Sequence, residues 1–182
     1  MKTADKVKVT TFVEVTPHVA FEVFTTEIDL WWRRGPRYRP NASAQKGTLK
    51  FETTGEPARV ASEGVLPREP ARERRLVEEL EDGEVFEIGR VLAWEPASRL
   101  LLEWRARNFA RDELTEVEVR FEPSGAGTRV VIEHRGWAAI REDHPVRHGY
   151  TGEAFIAMMG LWWGEIATSL RTRLESKRGN AS

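Results

Sequence analysis

Between residues 76 and 137 the chain repeats one pattern: apolar residues at every second position, in short segments divided by turn residues. That pattern limits its possible folds more than any other feature. The clearest case is Thr115, Val117, Val119 and Phe121 alternating with Glu116, Glu118, Arg120 and Glu122. Successive side chains on a strand face opposite sides, so such a segment turns one face to a core and the other to water. Residues 76–80 and 85–95 flank Glu81-Asp82-Gly83-Glu84, which reads as a tight hairpin turn. A second turn, Glu95-Pro96-Ala97-Ser98, leads into a strand over 99–107 with Leu100, Leu102 and Trp104 on one side. Ser124-Gly125-Ala126-Gly127 then turns the chain into a strand over 128–137. Consecutive strands joined by tight turns predict an antiparallel meander.

The flanks complete the outline. Val7, Val9, Val13 and Val15 alternate in a first strand over 6–15, and Thr16-Pro17 ends it as N-cap and first helical residue of a short helix to about residue 24. Thr26, with Asp29 three residues on, predicts a second short helix carrying Ile28, Leu30, Trp31 and Trp32. A basic loop over 33–40 follows, then a strand at Leu49 and Phe51, then a long Pro-, Gly- and Arg-rich excursion over 55–75. Residues 151–174 form the longest helical segment, with Phe155, Met159, Trp162, Ile166 and Leu170 on one face. The expected organisation is a single domain over 1–176 and a flexible polar tail over 177–182.

Composition removes whole classes of function. The chain has 28 basic against 29 acidic residues and a net charge of -1, so no global field draws it to nucleic acid. It has no cysteine, which excludes disulfides, cysteine-ligated metals and thiol nucleophiles and fits a reducing compartment. The longest apolar run, 154–163, is broken by Gly160 and reaches only about half of the roughly 20 residues a membrane span requires. The amino terminus interleaves lysines with valines and builds no signal-peptide core. A cytoplasmic protein without membrane association is therefore expected.

The order of strand, two short helices, antiparallel meander and long terminal helix resembles the helix-grip fold of the START/SRPBCC superfamily. Within it, the chain resembles the branch named for activators of a heat-shock chaperone's ATPase. The segments that carry the resemblance are Val15-Thr16-Pro17 with Phe21 and Phe24, Leu30-Trp31-Trp32, Gly89-Arg90-Val91-Leu92-Ala93-Trp94-Glu95-Pro96 with Arg99-Leu100, and Leu102-Glu103-Trp104. Gly127-Thr128-Arg129-Val130, His134-Arg135-Gly136-Trp137 and Leu161-Trp162-Trp163 continue it in the same order. The resemblance implies an α+β fold, a curved antiparallel sheet of about six to seven strands gripping the last helix, with a cavity between them.

Alternation over 85–95 places Phe86, Ile88, Arg90, Leu92 and Trp94 on one side of their strand, and His134 shares a face with Val130 and Ile132. A cation or imidazole on an apolar face needs a partner. Either Arg90 and His134 orient a ligand in a greasy pocket, or Arg90 pairs with a carboxylate such as Glu165 and His134 is a satisfied core histidine. Trp32, Phe51, Trp104, Phe155, Met158, Met159 and Trp162 are the expected apolar lining, or else ordinary core. His144 and His148 lie four apart beside acidic residues, but Pro145 and Gly149 deny them a helical scaffold, so no metal is expected. Arg33, Arg34, Arg37 and Arg39 with Tyr38 read as a solvated loop at a pocket mouth rather than a nucleic-acid surface.

No nucleophile elbow, phosphate loop, dinucleotide fingerprint or zinc-helix motif is present. The first expectation is therefore binding of a small hydrophobic or amphipathic molecule without a cofactor. The second is a polyketide-cyclase-like enzyme, implied by the resemblance, in which Arg90 polarises a carbonyl and His134 and Glu165 move protons. The third is an interaction module that meets a protein partner such as a chaperone, or a second copy of itself.

Overall fold

A computed structural model describes residues 5–39, 47–54 and 73–180. Most of the expected 55–75 excursion lies outside the described residues. The elements run β1 (Lys6–Val13), α1 (Pro17–Thr26), α2 (Ile28–Trp31), β2 (Gly47–Thr54), β3 (Glu73–Leu80), β4 (Val85–Glu95), β5 (Arg99–Trp104), β6 (Thr115–Ser124), β7 (Gly127–Arg135) and α3 (Gly152–Asn180). Single 3-10 turns at Trp137–Ala139 and Pro145–Arg147 lie between β7 and α3.

The seven strands form one open, curved antiparallel sheet in the order β1-β7-β6-β5-β4-β3-β2. The first strand thus lies beside the last, and α1 and α2 carry the chain from one sheet edge to the other. The meander then returns strand by strand. Thr16 caps α1 by accepting from the Val19 N–H at 3.4 Å, with Pro17 in the first turn, as expected. Thr26 does not cap α2: its hydroxyl donates to the Glu22 carbonyl, and α2 begins after Glu27 with no side-chain cap. The 29 residues of α3 run about 43 Å at 1.5 Å per residue. The helix continues past the expected tail boundary, and Lys177 and Arg178 pair with Glu27 and Glu14.

On β6 the expected alternation holds: Thr115, Val117, Val119 and Phe121 are buried and the charged residues between them face out. On β4 it fails, for a geometric reason. Gly89 pairs with Leu76 but Glu87 with Val77, and Val91 pairs with Leu102 but Ala93 with Leu101. Two β-bulges therefore each insert one residue, Ile88 and Leu92, and a one-residue slip turns following side chains to the other face. Ile88 stays in the core, Val91 and Trp94 pack against it, and Arg90 and Leu92 are exposed. Gly89 is required between the bulges, because a Cβ there would sit 1.7 Å from the Glu103 carbonyl oxygen.

The concave face is filled by its own side chains. Phe21, Phe24, Trp31 and Trp32 from α1 and α2 meet Leu100, Val119, Phe121 and Ile132 from the sheet and Phe155, Trp163, Ile166, Leu170 and Leu174 from α3. Among the described residues no helix is long and apolar enough to cross a membrane.

Candidate functional site

His134 lies at the centre of the packed region, between sheet and helix. It is 1% exposed, and burial pushes its imidazole pKa down from 6.5 to about 3, so the ring is neutral. Its hydrogen bonds set the tautomer. Trp163 Nε1–H donates to Nδ1 at 3.1 Å, so the proton sits on Nε2 and is donated to Thr115 Oγ1 at 2.8 Å. The Thr115 hydroxyl in turn donates to the Trp104 carbonyl at 3.1 Å. Every polar side-chain atom in this relay is satisfied by protein. Around it, Trp32 stacks on Trp104 at 5.7 Å, and Trp163 meets both edge-on, at 5.8 and 6.0 Å.

At one end of the sheet the packing stops, and an open cleft of about 710 Å³ begins. Four segments wall it. The first turns of α3 supply Met158, Met159 and Trp162, and the end of β5 and the loop after it supply Trp104, Arg105, Arg107 and Asn108. Residues 36–39 form a third wall, and residues 145–150 a fourth, with Trp137 and His134 behind them.

Each wall is tied down by a named contact. Arg105 donates to the carbonyls of Ala110, Arg111 and Glu113 at 3.3, 3.0 and 3.1 Å, folding the β5–β6 loop on itself. Arg147 is buried, donates to the carbonyls of Trp137, Ile140 and Arg141, and lies 4.6 Å over the Phe155 ring. The 33–39 segment is held from both sides. Trp32 Nε1–H donates to the Tyr38 carbonyl at 2.9 Å, Trp162 Nε1–H donates to the Arg37 carbonyl at 2.8 Å, and the Tyr38 hydroxyl donates to Glu165. Arg39, expected in a solvated loop, is instead buried, 2.9 Å from Asp29 and 3.7 Å from Glu78. Burial raises the Asp29 pKa, but the Leu49 N–H and the Arg39 guanidinium outweigh it and hold the carboxyl below its ordinary value.

Trp104, His134, Met158, Met159 and Trp162 therefore share one cleft. Trp32 and Phe155 stand behind it in the core, and Ile88 is buried elsewhere in the sheet. Phe51 lines a separate recess of about 340 Å³ beside Trp94, and Phe86 is half-buried under the Arg107 guanidinium. Arg90 is on the outer face, 62% exposed, and pairs with Glu87 rather than Glu165, because the bulges reverse its side. Glu165 pairs with Arg37 at 3.7 Å and accepts from Tyr38. His134, Arg90 and Glu165 do not converge, so the arginine expected to polarise a carbonyl and the two side chains expected to move protons share no site. His144 accepts the Val146 N–H at Nδ1 and places Nε2 3.2 Å from Glu113, inside the fold rather than beside His148.

The expected helix stripe runs through Trp162, but Trp163 is the buried member. The steps of four, four, three, four and four from Phe155 through Met159, Trp163, Ile166 and Leu170 to Leu174 are the signal that identifies it. Tyr38, Trp137 and Tyr150 also line the cleft and have no such signal, since they come from irregular segments.

This architecture, an antiparallel sheet closed over a long terminal helix with two short helices after the first strand, is the helix-grip class. Residues 14–175 match the family model described as Activator of Hsp90 ATPase homolog 1-like protein, and the chain belongs to that family. No curated protein matches it. Solved structures share its fold at low identity. A Mesorhizobium loti protein is 19% identical over 94% of this chain and 97% of its own, with a TM-score of 0.55. An HSP90 activator from Plasmodium falciparum is 12% identical over 94% and 97%, with a TM-score of 0.53. The Aha1 dimer from Colwellia psychrerythraea is 16% identical over 93% and 96%, with a TM-score of 0.52.

Proposed function

We propose that the protein binds a small apolar or amphipathic molecule in the cleft at the end of the sheet. One observation carries this: Tyr38, Trp104, Trp162, Met158 and Met159 all line one open volume, Tyr38 stacked on Trp162 and Trp162 edge-on to Trp104 in a continuous aromatic wall. Aromatic rings give flat ligands large dispersive contact, methionines adapt to irregular ones, and about 710 Å³ is within the range of small-molecule sites. The filled centre of the grip supports a bound molecule entering from the end rather than lying along the helix.

The test uses N-phenyl-1-naphthylamine, an uncharged fluorescent probe, titrated against the protein with emission excited through tryptophan. Saturable binding at one site is expected. Met158→Trp, which fills the cleft, is expected to weaken it about tenfold, the size of one lost aromatic contact. Arg90→Ala, on the outer face, serves as the control. Binding that never saturates, or that ignores Met158→Trp, overturns the proposal.

The family model and the Plasmodium activator favour a second reading, in which the chain engages an Hsp90-type chaperone. That reading is supported if the protein raises the chaperone's ATPase rate, and it stands independently of probe binding.

A further inference from the structure

Four arginines, Arg37, Arg39, Arg105 and Arg107, line the cleft, and among the described residues no aspartate or glutamate does. The four are not equivalent. Arg39 is neutralised inside the fold by Asp29 and Glu78. Arg37 shares Glu165 at 3.7 Å, and Arg107 shares Glu84 at 3.1 Å, with both side chains of each pair open to water. Such exposed pairs are worth little and exchange partners readily. Arg105 differs again: its guanidinium donates to backbone carbonyls, which order the group without cancelling its charge. Asn108, His148 and Tyr150 add polar groups to the same cleft.

A chain with a net charge of -1 therefore concentrates cationic groups around one aromatic opening. We infer that the molecule held there is a small aromatic-bodied anion, a carboxylate or similar oxyanion, with its ring against the wall that Trp104 and Trp162 form together and its charge toward Arg105 and Arg107. This rests on the binding function proposed above and goes beyond it in naming the charge. The physical basis is complementarity: guanidinium groups offer paired N–H donors to a planar oxyanion, and the low-dielectric aromatic wall beside them strengthens the attraction. Arg105 is fixed in advance by its loop, so it loses little freedom when an anion arrives.

The experiment compares N-phenyl-1-naphthylamine with 8-anilino-1-naphthalenesulfonate, the same skeleton carrying one sulfonate. At low ionic strength the sulfonate is expected to bind at least about tenfold tighter, with the advantage shrinking in high salt. Arg107→Gln and Arg105→Gln are each expected to cut the sulfonate-to-neutral affinity ratio severalfold. Equal affinity for the two probes overturns the inference while leaving the binding proposal intact. So does a sulfonate advantage that survives both replacements. If Arg105→Gln loses both probes together its loop has moved, and Arg107→Gln, whose side chain is exposed, then decides between the two outcomes. If neither probe binds the wild-type chain, the binding proposal itself fails.

Discussion

His134 shows how one residue can look catalytic in a sequence and be structural in a fold. An imidazole on an apolar strand face invites a proton-transfer role, yet both nitrogens here are engaged and burial holds the pKa near 3. Folded, the ring takes a proton only around that value; unfolded, it takes one around 6.5. Between the two the unfolded chain binds more protons, so stability rises with pH across the window and is lost on acidification, by up to about 1.4 kcal/mol per unit. His134→Gln keeps a donor and an acceptor but does not titrate. Its urea midpoint is expected to fall less than the wild type's between pH 6.5 and 5, above the range of most carboxylates. Equal slopes would show that the imidazole is not linked to folding in this way. Thr115→Val, which strands the Nε2–H without an acceptor, is expected to cost about 1–3 kcal/mol at neutral pH.

Among the elements, β6 carries the outer face of the sheet as well as part of its core. Glu118 meets Arg99 at 2.6 Å, Arg120 at 2.8 Å and Arg135 at 3.5 Å, three cations from three neighbouring strands on one carboxylate. The hydrogen bond from Arg99 leads in holding its pKa below the ordinary value. A depressed carboxylate contributes stability above its unfolded pKa and loses it as pH falls through the folded one. Glu118→Gln is therefore expected to cost about 1 kcal/mol at pH 7 in low salt and much less in 1 M salt or at pH 3. A loss unchanged by salt would assign Glu118 a packing role instead. The same strand explains what is legible in the sequence. β6 keeps strict alternation, so its two faces read directly from Thr115 to Glu122, and the Asp82-Gly83 turn marks the β3–β4 hairpin. β4 hides its faces because a bulge adds one residue without altering composition, and simple alternation misplaces Arg90 for that reason. On α3, Trp162 and Trp163 are adjacent and equally apolar, and only the extension to Leu174 separates the core member from the cleft member.

For the whole molecule, the cleft depends on elements far apart in sequence, and the 33–39 segment joins them. Asp29 in α2, Glu78 in β3, and Trp162 and Glu165 in α3 all hold it. Only its basic charge is visible in the sequence, because a salt bridge between residues 39 and 78 leaves no local pattern. Arg34 and Arg39 test the arrangement, since they reach the same Asp29 carboxylate from different surroundings. The Arg34 side chain is 58% exposed and that of Arg39 is 5% exposed. Arg34→Gln removes a screened surface pair and is expected to cost under about 1 kcal/mol. Arg39→Gln removes the cation that faces both Asp29 and Glu78 inside the fold, and is expected to cost about 3 kcal/mol. It should also weaken N-phenyl-1-naphthylamine binding, because Arg37 and Tyr38 lose the anchor that sets their wall of the cleft. Paired denaturation and probe titrations of the two variants measure both effects. Equal losses from Arg34→Gln and Arg39→Gln would mean that the segment is held from α3 alone and that the cleft does not depend on the buried ion pair.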